Sequence, residues 1–344
     1  MLQQTQVKTV LPYWERWMRE LPTIQSAAKA NPAKLHKLWE GLGYYTRVRN
    51  LQKAAQQIIA EHEGTFPQTF DDILALPGIG RYTAGAIASI AFNQPHPILD
   101  GNVIRVLTRI FGIRENPREK KTNAKLWRIA HELVKAATKP EISGTRETCA
   151  NILPLLGERA GVRAVVAQDS SNSCSHFNQS LMELGALICL PRSPQCETCP
   201  VSKLCVARKL KLQEQLPNLG KRTKTTARRF VAFVLEHDGK FLVRQRPDGI
   251  VNGHLWEFPN VEVGARHSGP QRAKVELGLN GLKTSSLYTI KHSITRYRIT
   301  LEAYRAEVPG RTPALPGTWL SLTKLHKLAF SSAHKKILNQ IKAT

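Results

Sequence analysis

Four of the six cysteines in this chain crowd between positions 189 and 205, spaced Cys189-x6-Cys196-x2-Cys199-x5-Cys205. Thiolates are soft ligands, and four of them on one tight loop close around zinc or an iron–sulfur cube. Zinc ribbons use two CxxC knuckles set about a dozen or more residues apart, and this loop has only one. The spacing therefore favours a [4Fe–4S] cluster held by Cys189, Cys196, Cys199 and Cys205. A chance gathering of buried cysteines is the bland alternative, and Cys149 and Cys174, which belong to no pattern, fit it. Pro191, Arg192, Lys203 and Arg208 surround the ligands, so the loop presents positive charge suited to phosphate.

The same positive bias runs through the chain. Fifty Lys and Arg against 26 Asp and Glu give a net charge of +24, which points to a polyanionic partner rather than to a fold. Hydrophobic residues at 42% describe a globular protein. No apolar run approaches a membrane span and no secretory leader is visible, so a cytosolic or nucleoid monomer with no membrane partner is expected.

Residues 1–205 read as all-helical. Val7, Val10, Leu11, Trp14, Trp17 and Met18 recur with a helical period. Pro32 opens a helix through Leu35, Leu38 and Trp39, and Val48, Leu51, Ala55, Ile58 and Ile59 mark another that stops at Gly64. Further helices are expected at 71–76, 81–92, 102–111, 122–137 and 176–188. Residues 139–173 mix Pro, Gly and Ser and read as an insertion. The stretch 206–228 reads as a basic linker. From 229 to 344 the period changes to strands, with Asp238–Gly239 a hairpin turn. A strand pair at 285–291 and 296–306 and a helix at 332–342 complete a small α+β domain.

Two further motifs carry chemistry. Leu76-Pro-Gly-Ile-Gly-Arg81-Tyr-Thr-Ala-Gly85 reads as a helix-hairpin-helix turn, in which Gly78 and Gly80 let a phosphate approach the backbone amides and the next helix start. Such a turn grips a DNA strand without reading its sequence, although LPGIG also suits a plain helix–helix connection. In Ile98-Leu-Asp100-Gly-Asn102-Val103, an apolar approach ends in one acid. Asp100 suits an N-cap, the commonest task of an aspartate at a helix start. A carboxylate there, facing a cationic sugar transition state, would instead stabilise an oxocarbenium ion.

With these motifs the chain resembles the endonuclease III superfamily, and in particular the adenine DNA glycosylases (the MutY family). The resemblance rests on MLQQTQV at Met1–Val7, WEGLGYYTRVRN at Trp39–Asn50, Leu76–Gly85, Leu99–Val103, ELGALIC at Glu183–Cys189 and the cysteine loop. It implies a helix-hairpin-helix glycosylase domain with a [4Fe–4S] loop. It also implies a double-stranded DNA partner carrying adenine opposite 8-oxoguanine or guanine. Asp100 matches the family's catalytic aspartate, with Asn102 close by. Tyr82 stands where bifunctional relatives place a Schiff-base lysine, so a monofunctional enzyme is implied. Gln4 and Tyr44, supported by Leu42, match residues that wedge into the base stack while adenine is flipped.

Residues 229–344 resemble the Nudix-like module with which this family reads 8-oxoguanine, through RQRP at Arg244–Pro247 and GHLWEFP at Gly253–Pro259. The acidic box of true Nudix hydrolases is missing, since only Glu262 and Glu276 follow in unrelated spacing, and nucleotide hydrolysis is not expected. The family's Phe-Ser-His recognition run is replaced by His292-Ser-Ile-Thr-Arg296, with Thr295 in the place of the serine as donor. The family's general-acid glutamate lies two residues before the MLQQT run, ahead of Met1, and Glu15, Glu20 and Glu40 occupy other positions. The reading is that the true frame starts upstream; a lesion-binding protein without chemistry and an endonuclease III-type lyase are the competing readings.

Overall fold

The computed structural model describes residues 1–138, 173–220, 225–264, 269–294, 296–310 and 315–341. The expected 139–173 insertion, Cys149 and Thr295 therefore lie outside the described residues, apart from Ser173. Packing divides the chain into two compact units, Met1–Gly64 with Thr223–Thr344, and Thr65–Arg222. The second division falls within the expected linker. The first separates the opening helices from the rest of the helical part.

In the first unit, helices α1 (Val7–Glu20), α2 (Ile24–Lys29), α3 (Pro32–Trp39) and α4 (Thr46–Glu61) follow one another. Asn31 caps α3 by accepting from Ala33 N–H at 2.8 Å, with Pro32 at the first helical position, as the sequence leads one to expect. The short α2 went unread because its apolar face is only Ile24, Ala27 and Ala28. A reciprocal Thr23–Ser26 capping box starts it. The apolar faces enclose Trp17, Leu35, Leu38, Trp39 and Val48, and Leu255 and Ala329 complete this core from the C-terminal part.

That C-terminal part is a mixed sheet: β1 (Thr226–His237), β2 (Lys240–Gln245), β3 (Trp256–Glu257), β4 (Asn260–Val263), β5 (Ser285–Ile294), β6 (Tyr297–Glu307) and β7 (Thr318–Ser321). The order is β3-β2-β1-β6-β5, with β4 added to β1 and β7 to β2. Among the described strands only β1 and β6 pair in parallel, with Thr226 opposite Tyr297 through to Glu236 opposite Glu307. The β1–β2 hairpin turns at Asp238 and Gly239, both at positive φ (48° and 67°), the two-residue geometry that Asp-Gly favours. Alternation along β1 sends Val231, Phe233 and Leu235 to one face and Ala232 and Val234 to the other. Helix α11 (Pro270–Glu276) covers the first face, and α13 (Ser332–Leu338) covers the second with Phe258 and Phe330.

The second unit holds α5 (Phe70–Ala75), α6 (Arg81–Phe92), α7 (Gly101–Ile110), α8 (Lys120–Ala136), α9 (Ser173–Glu183) and α10 (Val206–Lys209). Asn93, left-handed at φ 50°, ends α6, and its Oδ1 accepts from the N–H groups of Cys174 and Ser175 at the start of α9. The expected single helix at 176–188 loosens into a π-helical turn at Leu184–Ile188, which feeds the cysteine loop. Part of the expected linker is packed: Ala207 and Leu216 are buried because they give this unit apolar side chains to hide.

Below the sheet, Glu257 is buried and ionically satisfied. Arg244 Nε donates to it at 2.9 Å and Arg246 donates to its other oxygen. His334 lies beside them, its Nδ1 accepting from Phe258 N–H at 3.1 Å. Burial pushes the His334 imidazole down to about 4. The folded state thus refuses a proton that the unfolded chain accepts below its ordinary value near 6.5. This contribution to stability is complete above pH 6.5 and is lost as pH falls towards 4. Urea unfolding at pH 7.5 and 4.5 should show a loss of about 2–3 kcal/mol from this group. The variant His334→Gln, which has no imidazole to titrate, should be flatter by that amount. Equal pH slopes in the two proteins would refute the assignment.

Candidate active site and iron–sulfur loop

The second unit gathers Tyr82, Asp100 and Asn102 at one end of α7. Asp100 is the N-cap of this helix, and its Oδ1 accepts from Val103 N–H at 2.8 Å. The modest reading of Asp100 is therefore correct, and it does not exclude the other. Its Oδ2 accepts from Asn102 Nδ2 at 3.2 Å. Asn102 is oriented in turn, because its Oδ1 accepts from Arg105 Nη2 at 2.9 Å. With donors on both oxygens and a helix start beneath it, this carboxylate is held at a fixed place. Tyr82 lies close enough to feel it: burial and then the Asp100 charge push the phenol above its ordinary value. The Tyr82 hydroxyl donates to Met182 Sδ at 3.3 Å.

Sequence reading passed over the two side chains that organise the other flank of α7. Arg105 and Arg109 are buried, at 8% and 2% exposure, four residues apart on a helix whose other buried positions are Val103, Val106, Leu107 and Thr108. Arg105 also donates to the Gly185 carbonyl at 2.6 Å and the Cys189 carbonyl at 2.7 Å. Arg109 donates to the carbonyls of Leu190 (2.7 Å), Leu216 (2.9 Å) and Pro191 (3.3 Å), and to Cys189 Sγ at 3.2 Å. Two arginines at i and i+4 inside an apolar stripe were the available signal, since an unpaired charge there is too costly to be incidental. Gly185 lets the π turn approach: a Cβ on it would lie 2.7 Å from Asn102 Cβ.

The four cysteines of the loop line one small cavity together with Arg109 and Arg208. Burial, reinforced by the other thiols, pushes Cys196 and Cys199 above the ordinary thiol value. Four thiols converging want a cationic centre, and Arg109 already donates to Cys189 Sγ. Among the described residues no three ligand side chains form a shell for one ion. A single zinc needs every sulfur at about 2.3 Å, whereas a four-iron cube takes one thiolate per corner and spans a wider set. Four thiols lining one cavity fit an iron–sulfur cluster, with one thiolate for each corner.

The helix-hairpin-helix turn joins α5 to α6 in the same unit. Gly78 has φ 80°, a backbone that other residues rarely adopt. Gly80 is the N-cap of α6, exposed and with nothing within 4 Å of a Cβ added there. No side chain caps this helix start. Arg81 stacks its guanidinium 4.0 Å over Trp127.

The first unit brings Gln4 and Tyr44 to one organiser. Both sit at positive φ (56° and 48°) and both are exposed, Tyr44 by 57%. Core packing does not explain Tyr44. It does explain Leu42, which is buried at 7% and can only support. Arg47 ties the two turns together. Its Nη1 donates to the carbonyls of Met1 (2.8 Å) and Gln3 and to Thr5 Oγ1 (3.0 Å), and its Nη2 donates to the carbonyls of Leu42 (3.0 Å) and Gly43 (3.1 Å). An arginine in the first turn of α4 opposes the helix dipole, and that misplacement was its signal. At the β5–β6 turn, Arg296 is exposed and donates to the Tyr297 hydroxyl at 3.0 Å. Glu40 is engaged elsewhere, accepting from Lys37 Nζ and Phe330 N–H, and Glu20 pairs with Lys34.

An all-helical unit with a hairpin turn, an aspartate at a helix start and a four-cysteine loop defines a helix-hairpin-helix base excision DNA glycosylase. Residues 1–132 match the HhH-GPD superfamily of base excision DNA repair proteins, 189–205 the iron–sulfur binding domain of endonuclease III, and 230–340 the NUDIX domain. The chain belongs to the adenine DNA glycosylase family. It is 33% identical to the adenine DNA glycosylase of Homo sapiens over 98% of this chain and 66% of that protein. The Rattus norvegicus protein is likewise 33% identical, over 98% and 69%. That of Buchnera aphidicola subsp. Schizaphis graminum is 30% identical over 99% and 89%. The chain thus spans about two thirds of the length of its mammalian relatives. A [4Fe–4S] cluster is the cofactor of the matched loop. No helix among the described residues is long and apolar enough to cross a membrane.

Removing the Arg105 fork should leave three acceptors unsatisfied. The variant Arg105→Leu is expected to lose about 3 kcal/mol in urea unfolding and to retain less iron per chain. Cys199→Ser should lose most of its iron while the sheet of the other unit stays folded by circular dichroism. Full iron content in both variants would contradict the geometry described here.

Proposed function

We propose that this chain removes adenine mispaired with 8-oxoguanine or guanine in double-stranded DNA, hydrolysing its N-glycosidic bond without a lyase step. The carrying observation is Asp100, a carboxylate clamped by Val103 N–H and Asn102 at the start of α7. A carboxylate so fixed stabilises the oxocarbenium ion that forms as the base departs, with no reorganisation at the moment of reaction. Both Asp100 oxygens are occupied as acceptors, so the proton for the leaving base is assigned to a separate acid. Tyr82 has no amine with which to form an imine with the opened sugar, which supports a monofunctional reaction.

The remaining roles follow the same pattern. Gly78 and Gly80 admit a phosphate to the start of α6. Gln4 and Tyr44, presented by Arg47 and supported by Leu42, enter the base stack as the adenine is extruded. Cys189, Cys196, Cys199 and Cys205 hold the cluster, which when bound supplies a fixed, compact centre for the loop. Residues 229–344, with Thr295 as the hydrogen-bond donor, read the lesion. The division into a 1–205 glycosylase domain, a linker and a Nudix-like domain is the framework for these roles.

Single-turnover release of adenine from A:8-oxoguanine, A:G and A:T duplexes tests the proposal. Release from the first two only is expected where the family's general-acid glutamate is supplied, with Asp100→Asn slowed by on the order of 10²–10³ while duplex affinity is retained; full turnover by the 344-residue form without it would sink the account of the missing acid. Borohydride should trap no covalent complex. Binding without release once the glutamate is supplied would favour the lesion-binding reading, and trapping would favour the lyase.

A further inference from the structure

Glu40, at the end of α3, is an acid that none of these roles uses. Its side chain is only 13% exposed, and it faces the C-terminal part of the same unit. Oε1 accepts from Phe330 N–H at 2.9 Å. Oε2 accepts from Lys37 Nζ at 2.8 Å and lies 3.5 Å from Lys335 Nζ. Lys37 Nζ donates in turn to the Leu328 carbonyl at 2.9 Å. The desolvation of a carboxylate so enclosed is offset only while these groups stay in place.

Each side of this contact leads to a different recognition element. On the C-terminal side, the Phe330 ring is buried in the same core as Ile290 of β5, the strand that carries the start of the recognition run at His292. The Phe330 backbone bridges to Trp256. Trp256 N–H donates to the Ala329 carbonyl and Ser331 N–H to the Trp256 carbonyl, which leaves the Phe330 N–H between them for Glu40. On the helical side, only Gly41, Leu42 and Gly43 separate Glu40 from Tyr44. All of this turn is tied down. The Glu40 carbonyl accepts from the Tyr13 hydroxyl at 3.1 Å, Gly41 N–H donates to the Tyr45 hydroxyl at 3.3 Å, and Leu42 is buried. The Gly43 carbonyl accepts from Trp39 Nε1 and from Arg47 Nη2, both at 3.1 Å. Packed side chains and hydrogen-bond networks of this kind carry coupling between sites. A shift of Glu40 therefore reaches Tyr44 instead of being absorbed in the turn.

We propose that Glu40 is a positioning residue through which the seating of residues 229–344 on DNA sets the Tyr44 turn, so that entry into the base stack depends on the base opposite the adenine. The inference rests on the proposed roles of Tyr44 in the stack and of residues 229–344 in reading the lesion. A simple tether does not need this carboxylate. Leu255 and Ala329 already complete the helical core, and Arg49 Nη1 donates to the Gly253 carbonyl at 3.2 Å. Those contacts hold the parts together, and the contact at Glu40 fixes their register beside the Tyr44 turn.

The test uses the full 344-residue protein and duplexes carrying 2-aminopurine in place of the adenine, opposite 8-oxoguanine or guanine. The fluorescence of this base rises when it leaves the stack, and the reading needs no general acid. In the unaltered protein the rise at saturation should be larger opposite 8-oxoguanine. In Glu40→Ala that excess should disappear while the rise opposite guanine stays, and Lys335→Met should reduce the excess by less. Tyr44→Ala should lower both rises together. Circular dichroism checks that Glu40→Ala keeps its fold; if it does not, Lys335→Met decides by the same comparison. An unchanged excess in these variants, or equal proportional losses on both duplexes as a merely structural role would give, overturns the inference and leaves the assigned roles standing. Equal rises in the unaltered protein overturn the lesion-reading role itself, and the inference with it.

Discussion

Two buried guanidinium groups on one helix set the geometry of the whole second unit. Taking Arg105 and Arg109 out of water is costly, and only a full complement of acceptors offsets the cost. Those acceptors are backbone carbonyls of the π turn and the cysteine loop, at Gly185, Cys189, Leu190, Pro191 and Leu216. Once they are in place, the start of α7 and the loop cannot move independently. Asn102 takes its orientation from Arg105, and Asp100 takes one of its two donors from Asn102. The Asp100 carboxylate and the cysteine loop are therefore two ends of one hydrogen-bonded chain.

The first unit solves its positioning problem with the same chemistry. Arg47 spreads its fork over two turns whose exposed residues, Gln4 and Tyr44, are held at positive φ. Such conformations cost roughly 1 kcal/mol or more each and persist only where the surroundings over-determine them. A lysine, as a point charge on a flexible stem, cannot bridge two turns in this way. The strain is placed on side chains that face solvent, where they can meet a DNA duplex.

In the sheet, acidic residues that might otherwise gather a metal are spent in ion pairs. Glu257 takes Arg244 and Arg246, Glu262 takes Arg228, and Glu302 takes Arg229. The module acts as a rigid frame. Its sheet, parallel at β1–β6, has both faces covered.

Local chemistry was legible in the sequence because it is local. The cysteine spacing, the glycines of the hairpin turn, the cap at Asp100 and the Asp238–Gly239 turn depend on a few neighbouring residues, and their positions are where those residues require them. The long helices and the β5–β6 pair followed from period alone. Short elements did not: α2, β3, β4 and β7 carry too few apolar positions to show a period, and tertiary pairing makes them. The π turn at Leu184–Ile188 was equally hidden, since it exists to bring carbonyls to Arg105. What only the folded chain decided was partnership over distance. Arg47, Arg105 and Arg109 are ordinary letters in the sequence, and their meaning comes from carbonyls and thiols that other segments bring to them.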